Sequence, residues 1–243
     1  MSAPSLPACQ PSEPSELAQQ QWAQEEFADL DLGDVRRTRR LILIMVALCS
    51  QPTASIPQAC GSWAPTKAAY RFLDNPAVDP DVILEAHCQK SVQRAQDQRV
   101  ILALQDTTTL NYSTHPHTQG MGPIANNASK TVGFFVHSTL CVSAQGDSLG
   151  LVRVERWARD PDTFQSQCRQ RNRRPMNEKE SQRWLDSYQR AQELAQQCPQ
   201  SLVVSVADRE GDIHEVLAQG AEAEVAQLAR DLAIPLITTY NAS

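Results

Sequence analysis

Two short apolar runs, far apart in the chain, each deliver an aspartate. Val100-Ile101-Leu102-Ala103-Leu104 leads into Gln105-Asp106-Thr107-Thr108-Thr109, and Leu202-Val203-Val204-Ser205-Val206-Ala207 leads into Asp208-Arg209-Glu210-Gly211-Asp212-Ile213-His214. Continuous apolar runs of this length, bounded by polar and turn-prone residues, predict strands covered on both faces in a layered α/β domain. The stretch Val100–Tyr112 is thus expected to hold a buried strand that ends in an acid, Asp106, held rigidly at the sheet edge where open sheets place their ligands. Taken singly, either aspartate reads more readily as a turn or cap residue; the repetition favours a shared role. The two acids can converge only if their strands are neighbours, which parallel pairing through the long crossover between them would allow. Two carboxylates brought close repel unless a cation lies between them, and hard oxygen donors suit Mg²⁺ or Mn²⁺.

Charge is unevenly distributed. The net charge is −6, yet residues 1–31 contain six acids and no Lys or Arg, so the remainder is neutral and an anionic partner is not excluded. The seven cysteines are scattered singly without a Cys-x-x-Cys pair, which argues against a zinc site or a disulfide framework and for buried thiols in a reducing cytoplasm. The start of the chain has no basic region and no apolar core, so it is not a signal peptide. The longest apolar run, Leu41–Cys49, falls short of the about 20 residues that span a bilayer. A cytoplasmic protein without a membrane segment is expected.

Residues 1–14, rich in Pro and Ser, read as a disordered leader. From Ser15 a helical pattern begins, with Trp22, Ala23, Phe27 and Leu30 near one face. Leu32-Gly33-Asp34 predicts a turn and an N-cap. The following helix carries Arg36, Arg37, Arg39 and Arg40 in its first two turns, where cations oppose the macrodipole. Either phosphates offset them, or they form a solvated end paired with Asp29, Asp31 and Asp34. Gln51–Pro65 reads as loop, Lys67–Leu73 as a short helix, and Asp79-Pro80 as the start of a helix running to about Asp97. Residues 15–97 are therefore an all-helical unit with the profile of a small DNA-binding domain.

Beyond the first aspartate, Asn111–Gly133 reads as loop, its His115-Pro116-His117 more readily solvated than metal-bound. Val132–Ser143 and Leu149–Arg156 predict two strands joined by hairpin residues Ala144–Asp147. Arg159–Met176 is a polar loop holding Arg169, Arg171, Arg173 and Arg174, which could touch nucleic acid or simply be solvated. Asn177 with Glu180 predicts a capping box for a helix with Trp184, Tyr188, Ala191 and Ala195 on its core face. After the second aspartate come short helices at about 212–219 and 221–233 and a strand at Pro235–Thr239.

The motifs taken together resemble the DDE transposases of bacterial insertion sequences, specifically the insertion-sequence-four group to which the transposon-five transposase belongs. The resemblance rests on Leu32-Gly33-Asp34 with Arg36-Arg37-Thr38 and Arg40-Leu41, on Ala69-Tyr70-Arg71-Phe72 with Asn75-Pro76, and on Asp106-Thr107-Thr108 with Leu110 and Tyr112. Val136-His137-Ser138, Glu178-Lys179-Glu180-Ser181 with Trp184-Leu185, and Asp208-Arg209-Glu210 with Asp212-Ile213-His214 complete it. It implies an α/β chain: a helical domain over 15–97 that recognises transposon ends, then an RNase H-like mixed sheet with flanking helices over 98–243. It also implies Asp106 and Asp208 as catalytic, Mg²⁺- or Mn²⁺-binding acids, with Thr107, Arg209, Glu210 and His214 as accessory candidates. Arg36, Arg37, Arg40 and Arg71 become the candidate DNA contacts.

The implied activity is metal-dependent phosphodiester cleavage and strand transfer on double-stranded DNA. The family's third acid, a glutamate in Tyr-x-x-Arg-x-x-x-Glu, is not found after His214, so an N-terminal half truncated before that glutamate is expected. Such a chain would be monomeric where the full-length family dimerises on DNA, nucleoid-associated, and inactive in cleavage by itself. The alternative is a non-catalytic DNA-binding remnant or regulator. An aspartyl-phosphate phosphatase is disfavoured because Asp106-Thr107-Thr108 lacks a second acid two residues on.

Overall fold

The structure, a computed structural model, describes residues 15–115, 117–125, 131–162, 164, 179–211 and 216. The chain divides into two compact units, Met1–Ala86 and His87–Ser243. The first holds α1 (Glu16–Phe27), α2 (Val35–Ser50), α3 (Ile56–Cys60), α4 (Trp63–Leu73) and the start of α5 (Pro80–Gln96). Ser15 caps α1 by accepting from the Ala18 N–H at 3.3 Å. Asp34 caps α2 by accepting from the Arg36 N–H at 2.8 Å, which satisfies a donor that the first helical turn leaves orphaned. Phe27, Leu32, Leu41, Ile44, Ala69 and Phe72 form the core of this unit, with Ile83 at its margin. Full burial of a Leu, Ile or Phe side chain is worth about 2 kcal/mol, so this cluster holds α1, α2 and α4 together. The Thr38 hydroxyl donates to the Leu30 carbonyl at 2.8 Å and ties α2 to the preceding turn.

The second unit is built on β1 (Val100–Asn111), β2 (Gly122–Pro123), β3 (Val132–Ser143), β4 (Ser148–Trp157) and β5 (Leu202–Ala207), with α6 (Gln182–Gln197) between β4 and β5. The order is β2-β3-β1-β5, with β4 also paired to β3. β3 is antiparallel to β1 and to β4, whereas β5 is parallel to β1, pairing Val100 with Leu202 through Gln105 with Ala207. The chain is thus helical first and a mixed sheet with helices after.

Burial alternates strictly along β3: every second residue from Gly133 to Ser143 is buried and those between are half-buried. The buried face lies under α6 and the second half of α5. Ile101, Cys141, Leu149, Val152, Ala95, Leu194 and Cys198 form its apolar core. Two register shifts in the β3–β4 ladder let both Leu149 and Val152 reach that core. Between them Gly150 has φ +116°, and a Cβ there would lie 2.3 Å from the Ser91 hydroxyl, so α5 docks where only glycine fits. The Arg94 guanidinium donates to the Leu149 carbonyl at 2.6 Å, and the Leu151 N–H donates to His87 Nε2 at 3.1 Å.

Several expectations need correction. β1 does not end at Asp106. Its Thr107–Asn111 half continues in pairing with His137–Gly133 of β3, because β-branched threonines suit a ladder as well as a turn. β1 is also not sealed on both faces: Ile101, Ala103 and Gln105 are buried, but Val100, Leu102 and Leu104 are only half-buried. Gln51–Pro65 is not all loop, since α3 and the first turn of α4 fall within it. Pro65 lies in that first turn, where a missing N–H costs nothing. Glu180 does not cap α6. Ser181 occupies the N-cap, and the Glu180 carboxylate is instead clasped by Arg159 at 2.6 and 2.7 Å. Leu194, rather than Ala195, completes the buried face of α6. Asn177, the arginines at 169–174 and everything expected beyond Val216 lie outside the described residues.

Candidate nucleic-acid interface and acid pair

All the cations of the first unit sit on two helices. Between Val35 and Leu73 the chain has Arg36, Arg37, Arg39, Arg40, Lys67 and Arg71 and no Asp or Glu. Arg36 is paired with the cap residue Asp34 at 2.9 Å, and this contact, with the Arg36 backbone N–H, holds the Asp34 carboxyl down to about 2. Arg37 donates to the Leu32 carbonyl at 2.7 Å, which fixes its stem over the turn. Arg39, Arg40, Lys67 and Arg71 have no carboxylate partner among the described residues, and Arg39, Lys67 and Arg71 are exposed. Of the acids expected to offset the cluster, Asp34 pairs with Arg36, and Asp31 accepts from the Gly33 N–H. At the start of α2 the Asp34 carboxylate thus offsets part of the dipole conflict.

One functional feature was not read from sequence. α4 presents Trp63, Lys67, Tyr70 and Arg71 outward, with Trp63 75% and Tyr70 49% exposed. Thr66, Ala69 and Phe72 bury the opposite side. The signal was available in the spacing 63, 67, 70, 71, which falls on one helical face.

In the second unit the structure brings the two aspartates together. Gln105 pairs with Ala207 in the parallel β1–β5 ladder, so Asp106 and Asp208 follow as the next neighbours on strands about 4.8 Å apart. Both are exposed and lie where β5 ends while β1 runs on. The Asp208 carboxylate accepts from the Glu210 N–H at 2.9 Å, and the Gly211 N–H bonds to the Asp208 carbonyl at 3.0 Å, so the short 3₁₀ turn Arg209–Gly211 fixes the backbone there. Gly211 lies under Trp184 of α6, where a Cβ would come within 3.2 Å of the ring. Glu210 is exposed; His214 lies outside the described residues. The donor set at the pair is two carboxylates. No group of three His, Cys, Asp or Glu that could hold a metal occurs among the described residues.

Thr107 turns to the opposite face, where its hydroxyl lies 2.8 Å from Nδ1 of the fully buried His137. Burial first of all, then the cations Arg183 and Arg153, push the His137 imidazole down to about 4, against the opposing pull of Glu155 and Asp106. The ring meets Trp184 edge-on at 4.6 Å. Arg153 bridges Glu155 and Asp186 at 3.0 and 3.1 Å, and Arg183 lies 3.3 Å from the centroid of Trp157. This polar layer anchors α6 to β1, β3 and β4, the first of which carries Asp106.

Residues 19–78 match a family model described as transposase DNA-binding. The matched stretch runs from within α1 to the turn before α5 and contains every cation of the α2–α4 surface. It supports a transposase N-terminal domain, with DNA as its partner. No described helix is long and apolar enough to cross a membrane.

Proposed function

We propose that the chain is a DDE transposase of the insertion-sequence-four group, resembling the transposon-five transposase, whose helical unit binds transposon-end DNA and whose sheet unit is RNase H-like. The observation that carries the DNA-binding part is the family match over a segment with six cations and no acid. Arg37, Arg40 and Arg71 contact the DNA, and Arg36, tethered to Asp34, positions the start of α2. A cytoplasmic, nucleoid-associated location follows from that partner.

The RNase H-like reading is supported by the mixed order, in which a parallel strand joins β1 on the side opposite its antiparallel partner β3. Asp106 and Asp208 fit a hard divalent cation: both are exposed carboxylates in adjacent register, and the Asp106 side chain has no hydrogen-bond partner among the described residues. These two residues would hold Mg²⁺ or Mn²⁺, which when bound stabilises charge at a phosphoryl group and activates water. Thr107 keeps Asp106 in place through its bond to His137, and Arg209–Gly211 does the same for Asp208.

The test is duplex binding by the purified full chain, titrated against salt. If each of n arginines contacts one phosphate, log K falls with log salt at a slope of about −0.9n. Removing Arg37 and Arg40 together should flatten the slope by about 1.8. Failure to bind any duplex at low salt would overturn the reading.

A further inference from the structure

We propose that the Gln105–Ser205 hydrogen bond is a brace that sets the spacing of the Asp106–Asp208 pair, which makes both side chains positioning residues for the divalent-cation site. The inference rests on the reading of that acid pair above and deepens it by assigning what holds the two carboxylates in place.

β5 is a strand of six residues, and β1 is its neighbour in the described sheet. Their ladder ends at Gln105 paired with Ala207, and the two acids follow one residue beyond. Strands fray at the end of a ladder, so the backbone alone holds Asp208 beside Asp106 only loosely. A slip of β5 by one residue would move Asp208 by about 3.3 Å and turn its side chain to the other face. Ion ligation needs finer control than that, since Mg²⁺ takes its oxygen donors at about 2.0–2.1 Å in a near-octahedral array.

The inner face of the sheet changes character at this rung. The apolar cluster of Ile101, Cys141 and Leu194 gives way to the buried polar side chains Gln105, Thr139 and Ser187. Gln105 is 5% exposed, its Nε2 donates to Ser205 Oγ at 2.7 Å, and its Oε1 has no hydrogen-bond partner among the described residues. Burying an amide with an orphaned acceptor weakens a fold, and a methionine would fill the same volume without that penalty. Packing therefore does not account for a glutamine here.

What the glutamine supplies is direction. Apolar contact is non-directional and tolerates sliding, whereas a hydrogen bond fixes two atoms in distance and angle. The bond is also diagonal. Ser205 pairs with Ala103, two residues before Ala207, so the Gln105 amide reaches back across the ladder and resists shear of β5 along β1. The strand ends that carry the acids are thereby held in register from the face opposite the carboxylates.

The test uses the full chain with Gln105→Met and Ser205→Ala combined, which removes both partners of the bond together. The expected result is a urea midpoint at or above that of the wild type, with Mn²⁺ affinity lowered about 10-fold in calorimetric titration. Native-state hydrogen exchange should rise roughly 3- to 10-fold at the amides of the last rung and stay unchanged at the Val100–Leu202 end. Ser205→Thr keeps the hydroxyl and should retain wild-type affinity, whereas Ser205→Ala alone should not. Thr139→Val lies in the same polar layer but outside the β1–β5 ladder, and should bind Mn²⁺ as the wild type does.

Unchanged Mn²⁺ affinity in the double variant overturns the inference and leaves the acid pair standing. A fall in stability with exchange raised along the whole ladder assigns the bond to general cohesion and also overturns it. An equal loss of affinity in Thr139→Val overturns the specific role of the brace. A wild type that binds no Mn²⁺ overturns the acid-pair reading itself, and this inference with it.

Discussion

The Thr107 hydroxyl sits 2.8 Å from Nδ1 of His137, one residue along β1 from Asp106 and on the other face of the sheet. The histidine is fully buried, and its Nε2 has no hydrogen-bond partner among the described residues. A ring so placed is neutral in the native state, with burial as the main cause of a pKa near 4 against 6.5. On unfolding it regains its ordinary basicity. Below pH 6.5 the unfolded chain binds a proton that the native chain does not, so stability falls with pH from 6.5 to about 4 and is unaffected above 6.5. The loss between pH 7 and pH 5 should be about 2 kcal/mol, since each unit is worth about 1.4 kcal/mol. Urea unfolding at the two pH values measures it. The same pH dependence in His137→Gln would assign the effect to other groups.

Thr107→Val tests the same contact from the other partner at nearly constant volume. It strips the hydrogen bond from a buried imidazole nitrogen, which costs about 1–3 kcal/mol when no water replaces it. Thermal melts at pH 7 should show that loss, while Thr108→Val, at an exposed position one residue on, should be close to neutral. Equal effects of the two changes would mean that Thr107 acts through strand propensity and not through His137.

Gly133 begins the β3 pairing opposite Asn111, and a Cβ there would meet the Leu110 carbonyl oxygen at 1.9 Å. The atom in the way is backbone, which cannot swing aside as a side chain can. Gly133→Ala should therefore separate the far ends of β1 and β3 and destabilise the sheet by at least about 2 kcal/mol. Gly146, in the hairpin at φ +93°, has nothing within 4 Å, so Gly146→Asn should cost much less. Chemical denaturation of both variants decides it; a milder effect at Gly133 than at Gly146 would contradict the steric argument.

How far the sequence could be read depended on what each signal measures. The parallel neighbours β1 and β5 were legible because Val, Ile and Leu runs report burial directly. The far half of β1 was not, since Thr107–Asn111 is mostly polar and, Thr107 apart, exposed, and its place in the sheet is fixed by pairing with β3, a contact remote in the chain. Asp34 was legible as a cap because capping is local, whereas the Glu180 capping box failed because Arg159, 21 residues earlier, takes the carboxylate. α4 was read too short because Pro65 looks like a breaker, although a proline in the first helical turn is tolerated. That shortening hid Trp63, and with it the outward face that Trp63, Lys67, Tyr70 and Arg71 share.

Asp106 and Asp208 both follow the last β1–β5 ladder pair, Gln105 with Ala207, and their carboxylates should share one divalent ion. Two carboxylates on strands about 4.8 Å apart repel, and a cation between them relieves the repulsion. With two protein ligands the ion keeps most of its waters, so binding is expected to be weak. Calorimetric titration of the full chain with Mn²⁺ should show a single weak site, lost in Asp106→Asn and in Asp208→Asn alike. Glu210→Gln serves as the contrast, because its backbone N–H, and not its carboxylate, is what meets Asp208. That variant should bind Mn²⁺ as the wild type does. Binding retained in either aspartate variant would mean that the two acids do not form one site, and loss of binding in Glu210→Gln would add a third carboxylate to it.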